Sequence, residues 1–374
     1  MAKIKKEKNE VDLDESEYSP LSQIQKILTS DKHKGTHYSK VSIEDIQSSC
    51  DDLIPTGSTR MDILLGGGYR PGISLFFGDE ETGKTAQGLS WAREWQNFYK
   101  DKAYVVMIDA ECRLKNYKKD MSGVDSSPER FYHYQGNTGE KIFDFIENLI
   151  FNNPKNLKYF FILDSLDSMQ RNEDRDKSFD DPTKIAGAAA LNSLAFKRLS
   201  APINCLGHHL YLVSQVRTQN MMGGKGDGAK PSGGKAPKFY GDIIGRMYKG
   251  WSDTFIKDGP GDNAKIIGNL TKIKLVKTYN ETSNQDIDVP ILFKHKGGVW
   301  KEYEAMLVCQ EWAWLMKGGS WYAFSDMIKE FCKGDNVEID LSAKIQGEQK
   351  VLKFFEENPD FTNYVLEKVK VLSL

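Results

Sequence analysis

The chain has 374 residues, of which 39% are hydrophobic and 28% are charged, so it can bury a sizeable core and global disorder is excluded. Its 51 lysine and arginine residues are balanced by 53 aspartate and glutamate residues, giving a net charge of −2. This balance excludes a protein that is basic over its whole surface, so any surface for nucleic acid must be a local patch.

The N-terminal part is predicted to be a tail followed by a short helix. Residues 1–18 are polar and charged, with KIKKEK followed by DLDESE. The next stretch, LSQIQKILTS, places apolar side chains on one helical stripe at Leu21, Ile24, Ile27 and Leu28. We assign residues 1–50 to this N-terminal part.

Residues 51–300 alternate apolar strand-like runs with helical stretches. The strand candidates are SLFFG, AYVVMIDA, KYFFILDS and HLYLVSQV, and each is nearly continuous in apolar residues. Such runs are typical of parallel strands that are buried on both faces. KTAQGLSWAREWQNFYK and EKIFDFIENLIF have helical periodicity. The pattern predicts an α/β domain with a mostly parallel sheet, but it does not give the strand order.

Residues 301–374 are predicted to form a small α+β C-terminal domain. This part contains WAWLM, a GGSWY turn and the helical stretch EQKVLKFFEENPDFTNYVLEKVKVL.

The strongest chemical signal is a phosphate-binding loop of the form G-x-x-x-x-G-K-[ST], which lies between a predicted strand and a predicted helix. Its residues are Gly78, Asp79, Glu80, Glu81, Thr82, Gly83, Lys84 and Thr85. Glycines allow backbone N–H groups to surround phosphate oxygens, and the helix N-terminus faces the anion. Lys84 is then expected to reach the β- and γ-phosphates and Thr85 to bind Mg²⁺. The alternative is a glycine-rich turn that happens to contain Lys-Thr.

Two further predicted strands end in carboxylates. Asp164 ends KYFFILD, and the carboxyl ends of parallel strands border the ligand crevice, so Asp164 is a candidate Mg²⁺ ligand. Its alternative role is a helix cap or turn residue. Asp109 and Glu111 follow AYVVMI, where a carboxylate could orient and polarise an attacking water. The alternative is a solvated acidic pair.

A long loop after HLYLVSQV is a candidate DNA-binding segment. It runs from Arg217 to Lys238, is rich in glycine, and cannot build a core. Its lysines supply positive charge for phosphates, its methionines could wedge between bases, and its glycines allow close backbone approach. These residues are Met221, Met222, Lys225, Lys230, Gly233, Gly234, Lys235 and Lys238. A solvated linker would have a similar composition.

The cysteines and the N-terminus indicate the compartment. The five cysteines form no CxxC pair, which favours reduced thiols in a cytoplasmic protein and argues against a zinc site. No apolar run follows the basic N-terminus and none reaches transmembrane length, so we expect no signal peptide and no membrane contact.

Several motifs together resemble the RecA recombinase family. They are IPTGSTRMDILLGGGYRPG, GDEETGKT, VMIDAE, FILDS, VSQVR, SGGKAPKFY and the C-terminal KIQGEQKVLKFFEENPDFTNYVLEKVKVL. Their order and approximate spacing are those of the family over residues 20–374. The resemblance implies ATP hydrolysis with Mg²⁺, a helical filament on single-stranded DNA, and homologous pairing and strand exchange with double-stranded DNA. It also implies that the N-terminal helical stripe is a polymerisation segment and that single-strand-binding and loading proteins are partners.

The resemblance assigns roles at the nucleotide. Glu111 matches the glutamate that activates water, and Gln215 matches the glutamine that senses the γ-phosphate and communicates with DNA. Tyr117 resembles the aromatic residue that stacks on adenine. From the residues alone, a loop-capping amide is the alternative for Gln215 and a core tyrosine is the alternative for Tyr117.

The resemblance also assigns contacts to DNA and to a neighbouring subunit. Ser193 and Lys197 match DNA-contacting positions, although a solvated helix face would look alike. Lys277, in TKIKLVKTYNE, aligns with a basic residue that reaches the ATP of the next subunit, whereas a second basic residue of the family is replaced by Tyr279. An exposed strand lysine is the alternative for Lys277.

Two other function classes remain open from the sequence. A replicative helicase motor shares the ATPase core, but it normally carries a separate N-terminal helical domain for which about 50 residues are too few. A non-catalytic recombination mediator would have a degraded nucleotide site, whereas Lys84, Thr85, Glu111 and Asp164 are all present.

Overall fold

The computed structural model describes most of the chain after residue 51. The described residues are 52–114, 123–175, 187–218, 229–231, 235–249, 255–258, 264–280, 282–292 and 298–374, together with Ser19 and Ser22. The predicted N-terminal stripe at Leu21, Ile24, Ile27 and Leu28 lies outside them.

A large sheet forms the centre of the fold, and its strands include the four predicted apolar runs. The strands of its parallel part are β1 (Gly72–Gly78), β2 (Ala103–Asp109), β3 (Phe131–Gln135), β4 (Lys158–Asp164), β5 (His209–Thr218) and β7 (Ile243–Lys249). Every residue of β1 and β2 is buried, as expected for strands covered on both faces. The prediction of an α/β fold with a mostly parallel sheet is therefore confirmed.

The strand order is β7-β1-β5-β4-β2-β3 in this part of the sheet. The pairing register aligns the carboxyl ends of neighbouring strands. Gly78 at the end of β1 lies opposite Gln215 of β5, and Asp109 at the end of β2 lies opposite Asp164 of β4. The sequence motifs at these strand ends consequently meet at one edge of the sheet.

Antiparallel strands extend the sheet beyond β7. They are β9 (Lys265–Lys277), β10 (Gln285–Leu292) and β11 (Gly298–Val299), with β8 (Phe255–Asp258) paired to β9 and β6 (Ala229–Pro231) paired to β5. Buried and partly exposed residues alternate in the second half of β9, as in a strand that is covered mainly on one face.

Helices cover both faces of the sheet. They are α1 (Thr59–Leu64), α2 (Lys84–Tyr99), α3 (Gly139–Phe151), α4 (Asn172–Arg175), α5 (Gly187–Cys205) and α6 (Ala236–Tyr240). Trp91 and Trp95 of α2 belong to the hydrophobic core on one face. Ile146 of α3 and Phe196 of α5 belong to the core on the other face. The helical predictions for α2 and α3 are confirmed.

The C-terminal part has its own hydrophobic core. It contains α7 (Lys301–Glu311), β12 (Leu315–Gly318), β13 (Trp321–Phe324), α8 (Asp326–Gly334), β14 (Ile345–Gln346), α9 (Glu348–Glu357) and α10 (Pro359–Ser373). Trp314, Phe324 and Phe355 are among the residues of this core. The last helical stretch is two helices, because Pro359 has no N–H to continue α9 and instead begins α10. The proposed domain limits at residues 50 and 300 stay predictions.

A buried carboxylate joins this C-terminal part to the core. Glu304 of α7 has no exposed surface and accepts hydrogen bonds at the N-terminus of α1. Its carboxylate binds Ser58 Oγ at 2.5 Å, Thr59 N at 3.0 Å and Arg60 N at 3.3 Å. A carboxylate here accepts hydrogen bonds from N–H groups that have no partner within the helix, and its negative charge interacts favourably with the positive end of the helix dipole. Burial raises the pKa of Glu304 to about 6.

Candidate active site

The predicted phosphate-binding loop connects β1 to α2, as its motif requires. Gly83 has a φ of +89° and lies directly before the first residue of α2, a conformation that favours glycine. Gly78 is restricted by space, because a Cβ atom there would lie 1.8 Å from the carbonyl oxygen of Met247 in β7. Both glycines therefore fix the course of the loop, and the N-terminus of α2 faces the cleft at the carboxyl edge of the sheet.

Lys84 lies inside this loop. Its Nζ donates hydrogen bonds to the carbonyl oxygens of Gly78 at 3.0 Å and Asp79 at 2.5 Å, and lies 3.3 Å from Thr82 Oγ1. Burial lowers the pKa of Lys84, and the charge of Asp164 opposes that shift. An ammonium group held here is suited to bind an anionic phosphate group.

Thr85 and Asp164 form the next part of the site. Thr85 Oγ1 donates to Asp164 Oδ2 at 2.6 Å, which joins the first turn of α2 to the end of β4. Burial raises the pKa of Asp164 to about 6, so a nearby cation would stabilise its charged form.

The chemistry of these side chains fits Mg²⁺ bound together with phosphate. Hydroxyl and carboxylate oxygens are hard ligands, and Mg²⁺ is usually held by one or two protein groups, phosphates and water. Within the described residues, no group of three or more His, Cys, Asp or Glu side chains could hold a metal ion by itself. Thr85 and Asp164 would therefore hold Mg²⁺ only in company with a nucleotide.

Glu111 follows β2 and lines the same cleft, which has a volume of about 230 Å³. Its Oε1 accepts hydrogen bonds from Ser165 Oγ at 2.8 Å and from Ser168 Oγ at 3.1 Å. Its Oε2 lies 3.4 Å from Arg113 Nη1. The carboxylate is thus held in one orientation beside Lys84 and Asp164, where it can accept a proton.

Asp109 has a different role from Glu111. It is 2% exposed and accepts hydrogen bonds from the backbone N–H groups of Arg113 at 3.1 Å and Leu114 at 2.8 Å. Its Oδ2 also lies 3.2 Å from His133 Nε2. Burial alone would raise the pKa of Asp109, but these hydrogen bonds outweigh it and lower the pKa. Asp109 fixes the loop that presents Glu111, so the two do not form a solvated acidic pair.

Gln215 lies at the wall of the cleft, opposite Gly78 in the adjacent strand. Its backbone N–H donates to Asp167 Oδ2 at 2.7 Å. Gln215 therefore lies beside the phosphate-binding loop near the end of β5, and its role as a γ-phosphate sensor stays a prediction.

The structure describes some of the predicted DNA-binding residues. Ser193 and Lys197 are exposed and lie four residues apart on α5. Ser193 and Lys235 line one surface groove, and Lys238 Nζ lies 6.0 Å from the centre of the Phe77 ring. Arg217 and Lys230 are paired across β5 and β6, although their side chains lie outside the described part of the chain.

Other predicted residues lie outside the described ranges altogether. These are Tyr117, Met221, Met222, Lys225, Gly233 and Gly234. The roles assigned to them remain predictions.

Lys277 has partners within its own subunit. Its Nζ donates to the carbonyl oxygens of Phe239 at 3.3 Å and Gly241 at 2.6 Å, next to the C-terminal end of α6. Tyr279, which replaces the second basic residue, donates its hydroxyl to the carbonyl oxygen of Gly68. A role of Lys277 at the neighbouring nucleotide would require Nζ to leave these carbonyl oxygens.

Sequence reasoning did not identify Arg113, Ser165, Asp167 and Ser168, all of which contact proposed catalytic residues. For Ser165, Asp167 and Ser168, the available signal was the stretch SLDS directly after a buried strand. Arg198, which follows Lys197 on α5, is held within the chain, because its Nε donates to buried Glu147 Oε1 at 3.1 Å.

Cys112, Cys205, Cys309 and Cys332 are free thiols. In the described part of the chain, no helix combines the length and the apolar character needed to cross a membrane.

Comparison with known proteins identifies the family. Residues 23–298 match the family model of the RecA N-terminal domain. The chain is 28% identical to Protein RecA of Clostridioides difficile (strain 630) over 326 residues, which are 85% of this chain and 82% of that protein. It is 26% identical to Protein RecA of Amycolatopsis mediterranei (strain U-32) over 322 residues, covering 85% and 82%. For Protein RecA of Petrotoga mobilis (strain DSM 10674 / SJ95), the identity is 27% over 337 residues, covering 90% and 84%. Since the family model covers more than half of the chain, the chain belongs to the RecA family.

Proposed function

We propose that this protein is a DNA-dependent ATPase that forms helical filaments on single-stranded DNA and promotes homologous pairing and strand exchange. The observation that carries the proposal is the convergence of Lys84, Thr85, Asp164 and Glu111 on one cleft at the carboxyl edge of the sheet. Membership of the RecA family supports a recombinase over the two alternatives, a helicase motor and a non-catalytic mediator.

Each side chain has a role that follows from its position. The N–H groups at the start of α2 and the ammonium of Lys84 bind the phosphates. Thr85 and Asp164 would hold Mg²⁺, and the bound ion would supply positive charge to the phosphates. Glu111 accepts a proton from water as the water oxygen bonds to the γ-phosphorus and the bond to the β–γ bridging oxygen breaks, giving ADP and phosphate. Ser165 and Ser168 orient Glu111 for this transfer.

The surface around α5 and α6 is assigned to DNA. Ser193, Lys197 and Lys235 are exposed, and Ser193 and Lys235 share a groove. Lysines at such a surface would neutralise backbone phosphates and make binding depend on salt. Gln215 lies near the end of β5, which lines the nucleotide site and is followed in the sequence by residues 219–228. DNA binding by those residues would therefore be transmitted along β5 to the nucleotide site.

The subunit contact is assigned to Lys277 of a neighbouring molecule. A positive charge supplied by a neighbour stabilises the γ-phosphate only after assembly, which would make hydrolysis depend on polymerisation. In the single chain, Nζ of Lys277 is bonded to carbonyl oxygens near α6. Exchange of these partners for the neighbour's phosphate would accompany filament formation.

The test combines ATP hydrolysis with imaging. We expect phosphate release to increase on addition of single-stranded DNA and electron microscopy to reveal filaments with ATP. Circular single strands and a homologous linear duplex should give joint molecules, while a heterologous duplex should not. Rings would indicate a helicase motor, and neither assembly nor hydrolysis would indicate a mediator. Lys84→Ala is the matched control, because it removes the side chain that carries the phosphate-binding ammonium.

A further inference from the structure

A short turn after β4 contacts both neighbouring strand ends. The turn is a 3₁₀ helix, Leu166–Ser168. Its Asp167 Oδ2 accepts the backbone N–H of Gln215 at 2.7 Å, and its Ser168 Oγ donates to Glu111 Oε1 at 3.1 Å. Consecutive residues of one turn thus bind the proposed γ-phosphate sensor and the proposed base.

The sheet order explains how one turn reaches both groups. In the order β5-β4-β2, β4 is the middle strand, so the residues after Asp164 lie between the ends of the other two strands. The hydroxyl groups of Ser165 and Ser168 both donate to Glu111 Oε1, so the 3.1 Å contact between them is not a further hydrogen bond. The backbone N–H of Ser168 donates to Ser165 O at 3.2 Å. This bond and the shared acceptor make the turn one connected unit, and a shift of Asp167 would move Ser168.

We infer that Asp167 and Ser168 are positioning residues that couple the end of β5 to the orientation of Glu111. The inference rests on the proposed ATPase function and concerns its regulation by DNA. Residues 219–228, which follow β5, are assigned to DNA above. Displacement of the β5 end on DNA binding pulls on Asp167 through the N–H of Gln215, and Ser168 transmits the shift to Glu111 Oε1.

A purely structural turn would behave differently. If Asp167 only stabilised the turn, its loss would lower the unfolding temperature without changing the ratio of ATP turnover with and without DNA. The decisive quantity is therefore the stimulation ratio, together with the separate values of kcat and KM.

The test compares Asp167→Ala with Asp167→Asn at saturating oligo(dT). Asparagine retains an oxygen that accepts the N–H of Gln215, whereas alanine does not. We expect Asp167→Ala to lower the DNA-stimulated kcat about tenfold, as loss of one hydrogen bond to a charged group predicts, with KM for ATP within about twofold. Asp167→Asn should restore most of the stimulation. Hydrogen exchange should be faster at the Gln215 amide in the alanine variant alone.

Ser168 supplies an independent, milder variant. Ser168→Ala should reduce the stimulated kcat, Ser168→Thr should restore it, and Asp167→Ala combined with Ser168→Ala should lose no more than the larger single effect. Full stimulation in Asp167→Ala, equal defects in the asparagine and alanine variants, or additive losses in the double variant would each overturn the coupling. If the unmodified protein itself fails to hydrolyse ATP with single-stranded DNA, the proposed function fails as well, and this outcome is distinct from the other three.

Discussion

Glu111→Gln is expected to abolish most ATP turnover while leaving the cleft in place. The amide oxygen of glutamine can still accept the hydrogen bonds from Ser165 and Ser168, so the side chain keeps its orientation. The substitution also removes the ion pair with Arg113, but that side chain is 76% exposed, and an exposed pair contributes about 1 kcal/mol at most. The main effect of the substitution on turnover is therefore the loss of the general base.

The size of the effect follows from that role. General base catalysis contributes about 10²- to 10⁴-fold to a rate, so kcat should fall by this factor, or about 3–5 kcal/mol in activation free energy. Phosphate release with single-stranded DNA measures kcat, and a fluorescent ATP analogue measures binding, which should be unchanged. Filaments should persist because hydrolysis no longer removes ATP.

A matched control is Glu129→Gln. Glu129 is exposed and precedes β3, at the opposite edge of the sheet from the cleft, so its loss should not alter kcat. A fall of less than tenfold in Glu111→Gln would refute the assignment of the base. Loss of ATP binding would instead make Glu111 a metal or structural ligand.

Three further predictions concern the subunit contact, the C-terminal part and DNA. Lys277→Ala should lose DNA-stimulated ATP hydrolysis. Mixing this variant with an excess of the Lys84→Ala variant should restore part of the hydrolysis at mixed interfaces. Normal turnover by Lys277→Ala alone on DNA would show that Lys277 does not act at the neighbour's nucleotide site. The pKa of Glu304 is raised from 4.5 to about 6, so the folded state binds its proton more tightly and this group should stabilise the fold by about 1 kcal/mol more at pH 5 than at pH 8. Urea unfolding at both pH values should reveal that difference in the unmodified protein and not in Glu304→Gln, and equal pH dependence in the two would contradict it. Lys235→Ala should reduce the salt slope of binding to single-stranded DNA by about 0.7, and an unaltered slope would assign Lys235 to a solvated surface.

The sequence was sufficient to predict four of the six parallel strands and the motifs that follow them, whereas β3 and β7 were not predicted. Continuous apolar runs identify strands buried on both faces. Asp164 ends one such run, and Lys84 and Thr85 follow another after the phosphate-binding loop. Because carboxyl ends of parallel strands share an edge, their proximity could be expected before the strand order was known.

Contacts that depend on strand order could not be predicted. Asp167 and Ser168 reach Gln215 and Glu111 only because β4 lies between β5 and β2, and the order of strands is not encoded in local periodicity. Likewise, residue type and spacing alone did not separate Asp109 from Glu111, and the structure shows that Asp109 binds the backbone of the following loop.

The bonds of Glu304 limit how chimaeric proteins can be built in this family. Exchanging residues 301–374 for a segment without a carboxylate at position 304 would remove the acceptor for Ser58 Oγ and for the N–H groups of Thr59 and Arg60. Each such group left buried without an acceptor costs about 1–3 kcal/mol. A graft that keeps a carboxylate at position 304, or that carries its own residues 56–60 with it, should therefore express as a folded protein more readily than one that does neither.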